Sequence, residues 1–382
     1  MFTQTWEEFW WTNITGPNLV VTKVATSLVE GAHVVLVVPS DLPWRHSLRG
    51  AVHSEFQNLC LSSDIVVETI DAVDDIPPKT APGKFILQRF ADEETRTGYR
   101  DRAKATIQDY IRQTGILKNR VVWIKGLYGP AASEWVSFCR GLSPKSQEDG
   151  LFVLEVRGDI NCQETNRMRV VRFSQLVSSY DVRLFNSFYL DSMKSLSNAW
   201  KNYMATVAAV ICDTDAEMSE SLLRMVLTGE MTLMEAIEAI ADSEEFSRRG
   251  LGEDSEHILR FFRAGDLDEI DRRIWSAQVQ TLFPVIELER IEIIKRFYHR
   301  IKTALEEVDT YQYGKILTDP YEVELGALCF MMARRKDDGL YQLYIPDDAA
   351  RARIHFLHEC RNNLAHAECC TREQVAELLK NS

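Results

Sequence analysis

His33-Val34-Val35-Leu36-Val37-Val38-Pro39 is an apolar run closed by a proline. A strand with one face in water alternates apolar and polar residues. A strand without that alternation has both faces covered, as in the centre of a parallel sheet. The flanks agree. Upstream, Leu19 to Glu30 reads as a helix that ends at Gly31, a natural terminator. Downstream, Ser40-Asp41-Leu42-Pro43-Trp44 opens a helix through Asn58. The pattern then repeats, with strands expected at Asp64–Ile70, Phe85–Gln88, Arg120–Lys125, Leu151–Val156 and Arg169–Phe173. Strands alternating with helices imply right-handed crossovers and a mainly parallel sheet. Residues 1–190 therefore read as an α/β domain, 191–268 as a helical linker or lid, and 269–382 as a helical bundle.

The layout of the first half resembles the cores of AAA-type and STAND-type ATPases. That resemblance implies a P-loop-NTPase-like domain. A phosphate loop needs a glycine-rich turn whose amides face the phosphates, then Lys and Ser or Thr. Gly16-Pro17-Asn18-Leu19-Val20-Val21-Thr22-Lys23 has one glycine, a proline and no such pair, and no apolar strand precedes it. The strand at Val121–Ile124 runs into Lys125-Gly126 rather than the Asp-Glu that would hold magnesium and position a water. The expectation is a degenerate domain that does not hydrolyse ATP, with ATP binding open, no cofactor assigned, and a plain α/β scaffold as the alternative.

Composition sets outer bounds. A chain of 382 residues is long for one core, so two or three domains are expected. No apolar run approaches the ~20 residues that span a bilayer. The acidic first residues lack a basic-then-apolar signal layout. The eight cysteines form no C-x-x-C pair and read as reduced thiols. These features point to a cytoplasmic protein without a membrane partner. The net charge of −13 argues against broad nucleic-acid binding, but not against a site whose basic groups are local.

The last forty or so residues carry the chemistry. Cys360-Arg361-Asn362-Asn363-Leu364-Ala365-His366-Ala367 closes a helix expected from Ala349 to Ala367. Asn362 and His366, four apart, would share one face. Arg361 and His366, five apart, would diverge by roughly 140°. One straight helix does not aim both at one atom, so a bend or a second copy of the chain is required. Cleavage of an RNA phosphodiester suits these side chains. Histidine does acid–base work near neutrality. Arginine grips phosphate. Asparagine can bind a phosphate oxygen or fix the imidazole tautomer. No metal is needed, because the 2′-oxygen is the nucleophile.

Arg361-Asn362-Asn363-Leu364-Ala365-His366, followed by the helix Arg372-Glu373-Gln374-Val375-Ala376-Glu377-Leu378-Leu379, resembles the end of a HEPN domain. The resemblance implies a helical bundle and a metal-independent endoribonuclease that works as a homodimer. Arg361 and His366 would be catalytic and Asn362 supporting. RNA would be the substrate, and an antiphage-defence or toxin effector, restrained by the front domain and with possible protein partners in a defence system, the setting. The competing class is a non-catalytic adaptor that dimerises or docks a partner through the same helices.

Further expectations belong to this bundle. A helix from Ile270 to Glu307 should kink near Pro284. A second helix should run from Tyr321 to Arg335, with Arg334-Arg335-Lys336 either steering RNA or complementing the helix dipole. Thr371 should cap the last helix, Arg372–Lys380. His355, His358, Cys360, His366, Cys369 and Cys370 are dense in zinc ligands, yet most lie mid-helix at mixed angles, so no metal site is assigned.

Overall fold

The computed structural model describes residues 4–60, 64–99, 105–146, 148–158, 160–193, 196–229, 231–252 and 255–380. The chain divides into two compact units: Met1–Tyr189 with Cys212–Arg260, and Leu190–Ile211 with Phe261–Ser382. The stretch 191–268, expected as a linker or lid, is thus shared between them.

In the first unit the chain runs α1 (Trp6–Asn13), α2 (Thr15–Val29), β1 (His33–Val38), α3 (Arg45–Leu59), β2 (Val66–Asp71), α4 (Pro82–Phe90), α5 (Glu93–Gly98), α6 (Ile107–Thr114), β3 (Arg120–Tyr128), α7 (Gly129–Leu142), β4 (Leu151–Arg157), β5 (Met168–Arg172), α8 (Phe173–Leu176) and α9 (Ser179–Asp191). The five strands are parallel, in the order β2-β3-β4-β1-β5. Val34 to Val38 are buried, as a strand lying between β4 and β5 requires. One sheet face, with Val35, Val122, Phe152 and Leu154, packs on Phe85, Trp135 and Phe138. The opposite face carries Leu36, Trp123 and Glu155, since side chains alternate along a strand. Glu155 is fully buried there and takes the Trp123 indole N–H at 3.0 Å and the Arg45 and Arg49 guanidinium groups of α3 at 3.5 Å.

Two expectations change here. Phe85–Gln88 lies inside α4, not in a strand. Pro82 stands in the first turn, and a short apolar run does not by itself separate strand from helix. Helix α2 begins at Thr15, four residues before Leu19. Its start is fixed from far along the chain: Asp181 accepts the Gly16 N–H at 3.0 Å and the Ser178 N–H at 2.9 Å. A Cβ on Gly16 would meet the Leu176 carbonyl oxygen at 2.5 Å, so only glycine fits.

The chain continues through α10 (Asn198–Cys212), α11 (Ala216–Leu227), α12 (Leu233–Asp242) and α13 (Ile258–Ala264). The second unit then adds α14 (Leu267–Glu307), the hairpin strands β6 (Tyr311–Gln312) and β7 (Lys315–Ile316), α15 (Leu325–Ala333), α16 (Asp348–Ala365) and α17 (Arg372–Leu379). Its interior holds Ile286, Ile294, Ile301, Leu328, Ile354, Leu357 and Leu364. Within α14, Pro284 is accommodated, and the departure from helical dihedrals falls at Phe297 (φ −111°, ψ 18°), not near the proline. The helix expected from Tyr321 starts only at Leu325, because Pro320–Glu322 forms a 3₁₀ turn and Glu324 is extended. Arg334 and Arg335 follow its last helical residue. Thr371 caps α17 in a capping box with Gln374. Among the described residues no helix is long and apolar enough to cross a membrane.

Candidate functional site

Two clusters of polar side chains among the described residues are candidates for function. The first is at the carboxyl ends of the strands of the first unit, where parallel α/β sheets bind their ligands. A cleft of about 540 Å³ opens there, lined by Ser40, Asp41, Arg157, Gly158, Ser174 and His257 among others. In such a sheet the turn after β1 is the natural phosphate-binding position, because α3 starts there and its free N–H groups and dipole face the ligand. Here that turn is Pro39-Ser40-Asp41-Leu42-Pro43-Trp44, with two prolines and no glycine.

A carboxylate of the protein already occupies the helix start. Trp44, in the left-handed region at φ 40°, donates its N–H to Glu217 Oε2 at 2.7 Å. Arg249 bonds Glu217 through one nitrogen and, through the other, Asp215 at 2.6 Å and the Asp41 carbonyl at 3.0 Å. Asp41 accepts the Gly250 N–H at 3.0 Å and the Ser255 hydroxyl at 3.2 Å. His257 Nε2 lies 3.1 Å from Asp215. Burial pushes the Asp215 carboxyl upward, but Arg249 and His257 outweigh it and hold it below the usual carboxylate range. For Glu217 burial prevails over Arg249, and its carboxyl is raised. The network is compensated from within. It fastens Glu217, Arg249, Gly250 and Ser255 to the β1–α3 turn. The segment Gly16–Lys23 lies in α2, with the Asp181 carboxylate at that helix start as well.

The second place is on α16, which Asp347 caps by accepting the Ala350 N–H at 3.0 Å. Arg361 and Asn362 are half-buried on this helix. The Arg361 guanidinium reaches Glu324 at 3.3 Å, and both Glu324 oxygens accept from the Tyr313 hydroxyl at 3.1 Å. Asn362 Nδ2 lies 3.1 Å from Nε2 of His358. With the amide donating, that ring is neutral and carries its proton on Nδ1. Burial, then the Arg361 charge and then His355, lower the His358 pKa.

His366 is the helix C-cap, with ψ 17°, and its ring is exposed. Its N–H still bonds the Asn362 carbonyl at 2.9 Å, the last such turn of the helix. Ala367 takes the left-handed conformation at φ 62°, and the Glu368 N–H returns to the Asn363 carbonyl at 2.8 Å, closing the helix in a Schellman turn. The structure therefore groups Arg361 with Glu324 and Tyr313 and pairs Asn362 with His358, while His366 stands exposed at the helix end. His358 was missed as Asn362's neighbour because residues 358 and 366 both stand four from 362. Spacing alone does not choose between them; the side-chain contact with His358 does. Among the described residues no group of three or more His, Cys, Asp or Glu side chains is arranged to hold a metal ion.

The architecture is thus a parallel five-stranded α/β unit and a helical unit. No protein-family model matches the chain. No curated protein matches it either. Among solved structures it is similar to a RuvB mutant of Thermotoga maritima (10% identity, 69% of this chain and 73% of that chain, TM-score 0.31). It is also similar to the Aeropyrum pernix ORC2 protein (11% identity, 96% and 83%, TM-score 0.30) and to Drosophila ORC bound to GC-rich DNA and Cdc6 (11% identity, 98% and 73%, TM-score 0.23). At these TM-scores the likenesses carry no argument about this chain. The fold description rests on its own strand order and register.

Proposed function

We propose that the helical unit is a HEPN-type, metal-independent endoribonuclease acting as a homodimer, with Arg361 and His366 contributed to each scissile phosphate by different copies. His366 takes the 2′-hydroxyl proton, the 2′-oxygen attacks phosphorus, and Arg361 stabilises the phosphorane charge. The bond to the 5′-oxygen breaks as that oxygen is protonated by the acid form of a histidine. The products are a 2′,3′-cyclic phosphate and a 5′-hydroxyl.

The observation that carries this reading is the placement of His366. Its ring is exposed at a helix terminus, five residues beyond an arginine whose one ion-pair partner among the described residues is a partly exposed carboxylate. An ion pair of that exposure contributes about 1 kcal/mol or less, so a phosphate can replace Glu324 as Arg361's partner. Asn362 anchors the neutral His358 beside that arginine and acts in support. In this reading the α/β unit is a degenerate NTPase-like regulator in a defence or toxin system. It does not hydrolyse ATP, because its phosphate position is filled by Glu217.

The test is incubation of the full chain with total RNA in EDTA. Fragments ending in 2′,3′-cyclic phosphates, lost with Arg361→Ala and with His366→Ala, support the proposal. Equal cleavage by those variants rejects the site. A specific observation favours the second reading, a non-catalytic adaptor: Arg361 and Asn362 both have partners within their own unit. Intact RNA together with a stable dimer selects that reading.

A further inference from the structure

The second unit carries a short ribbon in which the end of α15 and the residues after it pair with residues 340–343. The Lys336 N–H bonds the Leu340 carbonyl at 2.8 Å, Gln342 bonds Arg334 at 2.9 Å, and Leu343 bonds Met331 at 3.1 Å. Its inner side is fixed: Leu343 and Ile345 are buried, and the buried Gln342 amide donates to the Thr310 hydroxyl at 2.8 Å. Its outer side is aromatic and unusually bare. Phe330 is 55%, Tyr341 43% and Tyr344 57% exposed.

Each of these residues has a guanidinium beside it. Arg334 lies 5.7 Å from the Phe330 ring centroid and Arg335 4.9 Å from that of Tyr341, while Arg300 donates to the Tyr344 carbonyl at 3.3 Å. Among the described residues none of these three arginines has a carboxylate within ion-pair distance. Two nearby acids, Glu307 and Asp338, pair with Lys336 instead, at 2.9 and 3.7 Å. A protein of net charge −13 thus keeps three uncompensated cations interleaved with three exposed rings.

We propose that this ribbon binds single-stranded RNA, stacking bases on Phe330, Tyr341 and Tyr344 and pairing phosphates with Arg300, Arg334 and Arg335. Sequence-tolerant single-strand binding uses this combination of aromatic platforms and a basic track. Bases also stack on guanidinium planes. An acidic peptide would satisfy the cations and leave the rings in water. A duplex would present phosphates but no free base faces. The inference rests on the proposed RNA chemistry of this unit and deepens it, by naming the strandedness of the substrate and where it lies.

The test is fluorescence anisotropy of the full chain with a short, labelled, single-stranded 2′-O-methyl RNA, which lacks the 2′-nucleophile and cannot be cleaved. Saturable binding is expected, with a slope of log affinity against log salt of about −2, from three phosphates at about −0.7 each. Arg334→Glu with Arg335→Glu weakens binding by roughly tenfold or more and flattens the slope. Tyr341→Ala with Tyr344→Ala weakens it by roughly tenfold and leaves the slope. Absence of binding, indifference to both double variants, equal affinity for the annealed duplex, or preference for a poly-glutamate peptide overturns the proposal. Binding by a wild type that leaves unmodified RNA intact overturns the nuclease reading alone. Cleavage by a protein whose ribbon variants bind normally overturns only the ribbon.

Discussion

Trp44 donates its main-chain N–H to a Glu217 carboxylate oxygen at 2.7 Å, across 173 positions of sequence. The start of α3 is therefore neutralised by the protein itself, and Arg249 holds that carboxylate together with Asp215 in one grip.

Removing the grip takes the arginine from the half-buried Glu217 and leaves the buried Asp215 with His257 alone. Arg249→Ala is expected to destabilise the first unit by about 3–5 kcal/mol, the usual consequence of breaking one side of a buried ion network. Urea denaturation followed by tryptophan fluorescence measures it. Arg249→Lys should recover only part of the loss, since one ammonium cannot reach both carboxylates with a planar fork. A change within about 0.5 kcal/mol, as for ordinary surface substitutions, would show that the network does not hold Asp215 and Glu217 to the β1–α3 turn.

His33 at the start of β1 gives the first unit an acid sensitivity. Its Nδ1 accepts the Phe152 N–H at 3.1 Å, and burial lowers its pKa from 6.5 to about 3. The folded-state pKa lies below the unfolded one, so the unfolded chain takes up the proton first. This contribution is complete above pH 6.5 and is lost as pH falls from 6.5 towards 3. Between pH 7 and 5 the wild type should lose about 2 kcal/mol that His33→Asn does not lose. Parallel pH profiles for the two proteins would contradict this assignment.

Ala367 occupies a left-handed position that suits glycine. For an alanine that conformation costs about 1–2 kcal/mol, so Ala367→Gly should raise the stability of the helical unit by about 1 kcal/mol. The melting temperature reports it. The result also bears on the motif: if the strained turn holds His366 in its working position, RNA cleavage should fall while stability rises.

Arg361→Ala should separate chemistry from folding. The Arg361–Glu324 pair is partly exposed and its loss is expected to cost about 1 kcal/mol or less. Meanwhile the His358 imidazole, held below its ordinary pKa by burial and by the Arg361 charge, should titrate closer to 6.5 in the variant. Proton NMR of the ring signals follows this directly. An unmoved His358 titration would place Arg361 away from that ring in solution.

Much of this fold was legible from residue patterns. The unbroken run Val34–Val38 marked a strand covered on both faces, and its flanking helices marked a crossover architecture. The misread elements have two causes. Phe85–Gln88 is too short for its period to decide between strand and helix. The start of α2 depends on Asp181, a residue far along the chain that no local signal reveals. The anion at α3 was invisible for the same reason, because Glu217 reaches Trp44 only in the folded unit. At the motif, the composition of Arg361, Asn362 and His366 was plain, but the end of the helix was not. Ala367 carries no glycine-like signature, so the turn that ends the helix behind His366 left no mark in the sequence.

The central claim concerns a phosphodiester met by Arg361 and His366 from two copies of the chain. It is tested most directly by complementation. Arg361→Ala and His366→Ala proteins are assayed separately and then mixed, on total RNA in EDTA. Neither variant alone should cleave. The mixture should regain about a quarter of wild-type activity, because random pairing gives half heterodimers, each with one intact composite site. Cleavage by either variant alone, or a mixture as inert as its components beside an active wild type, would contradict a shared site.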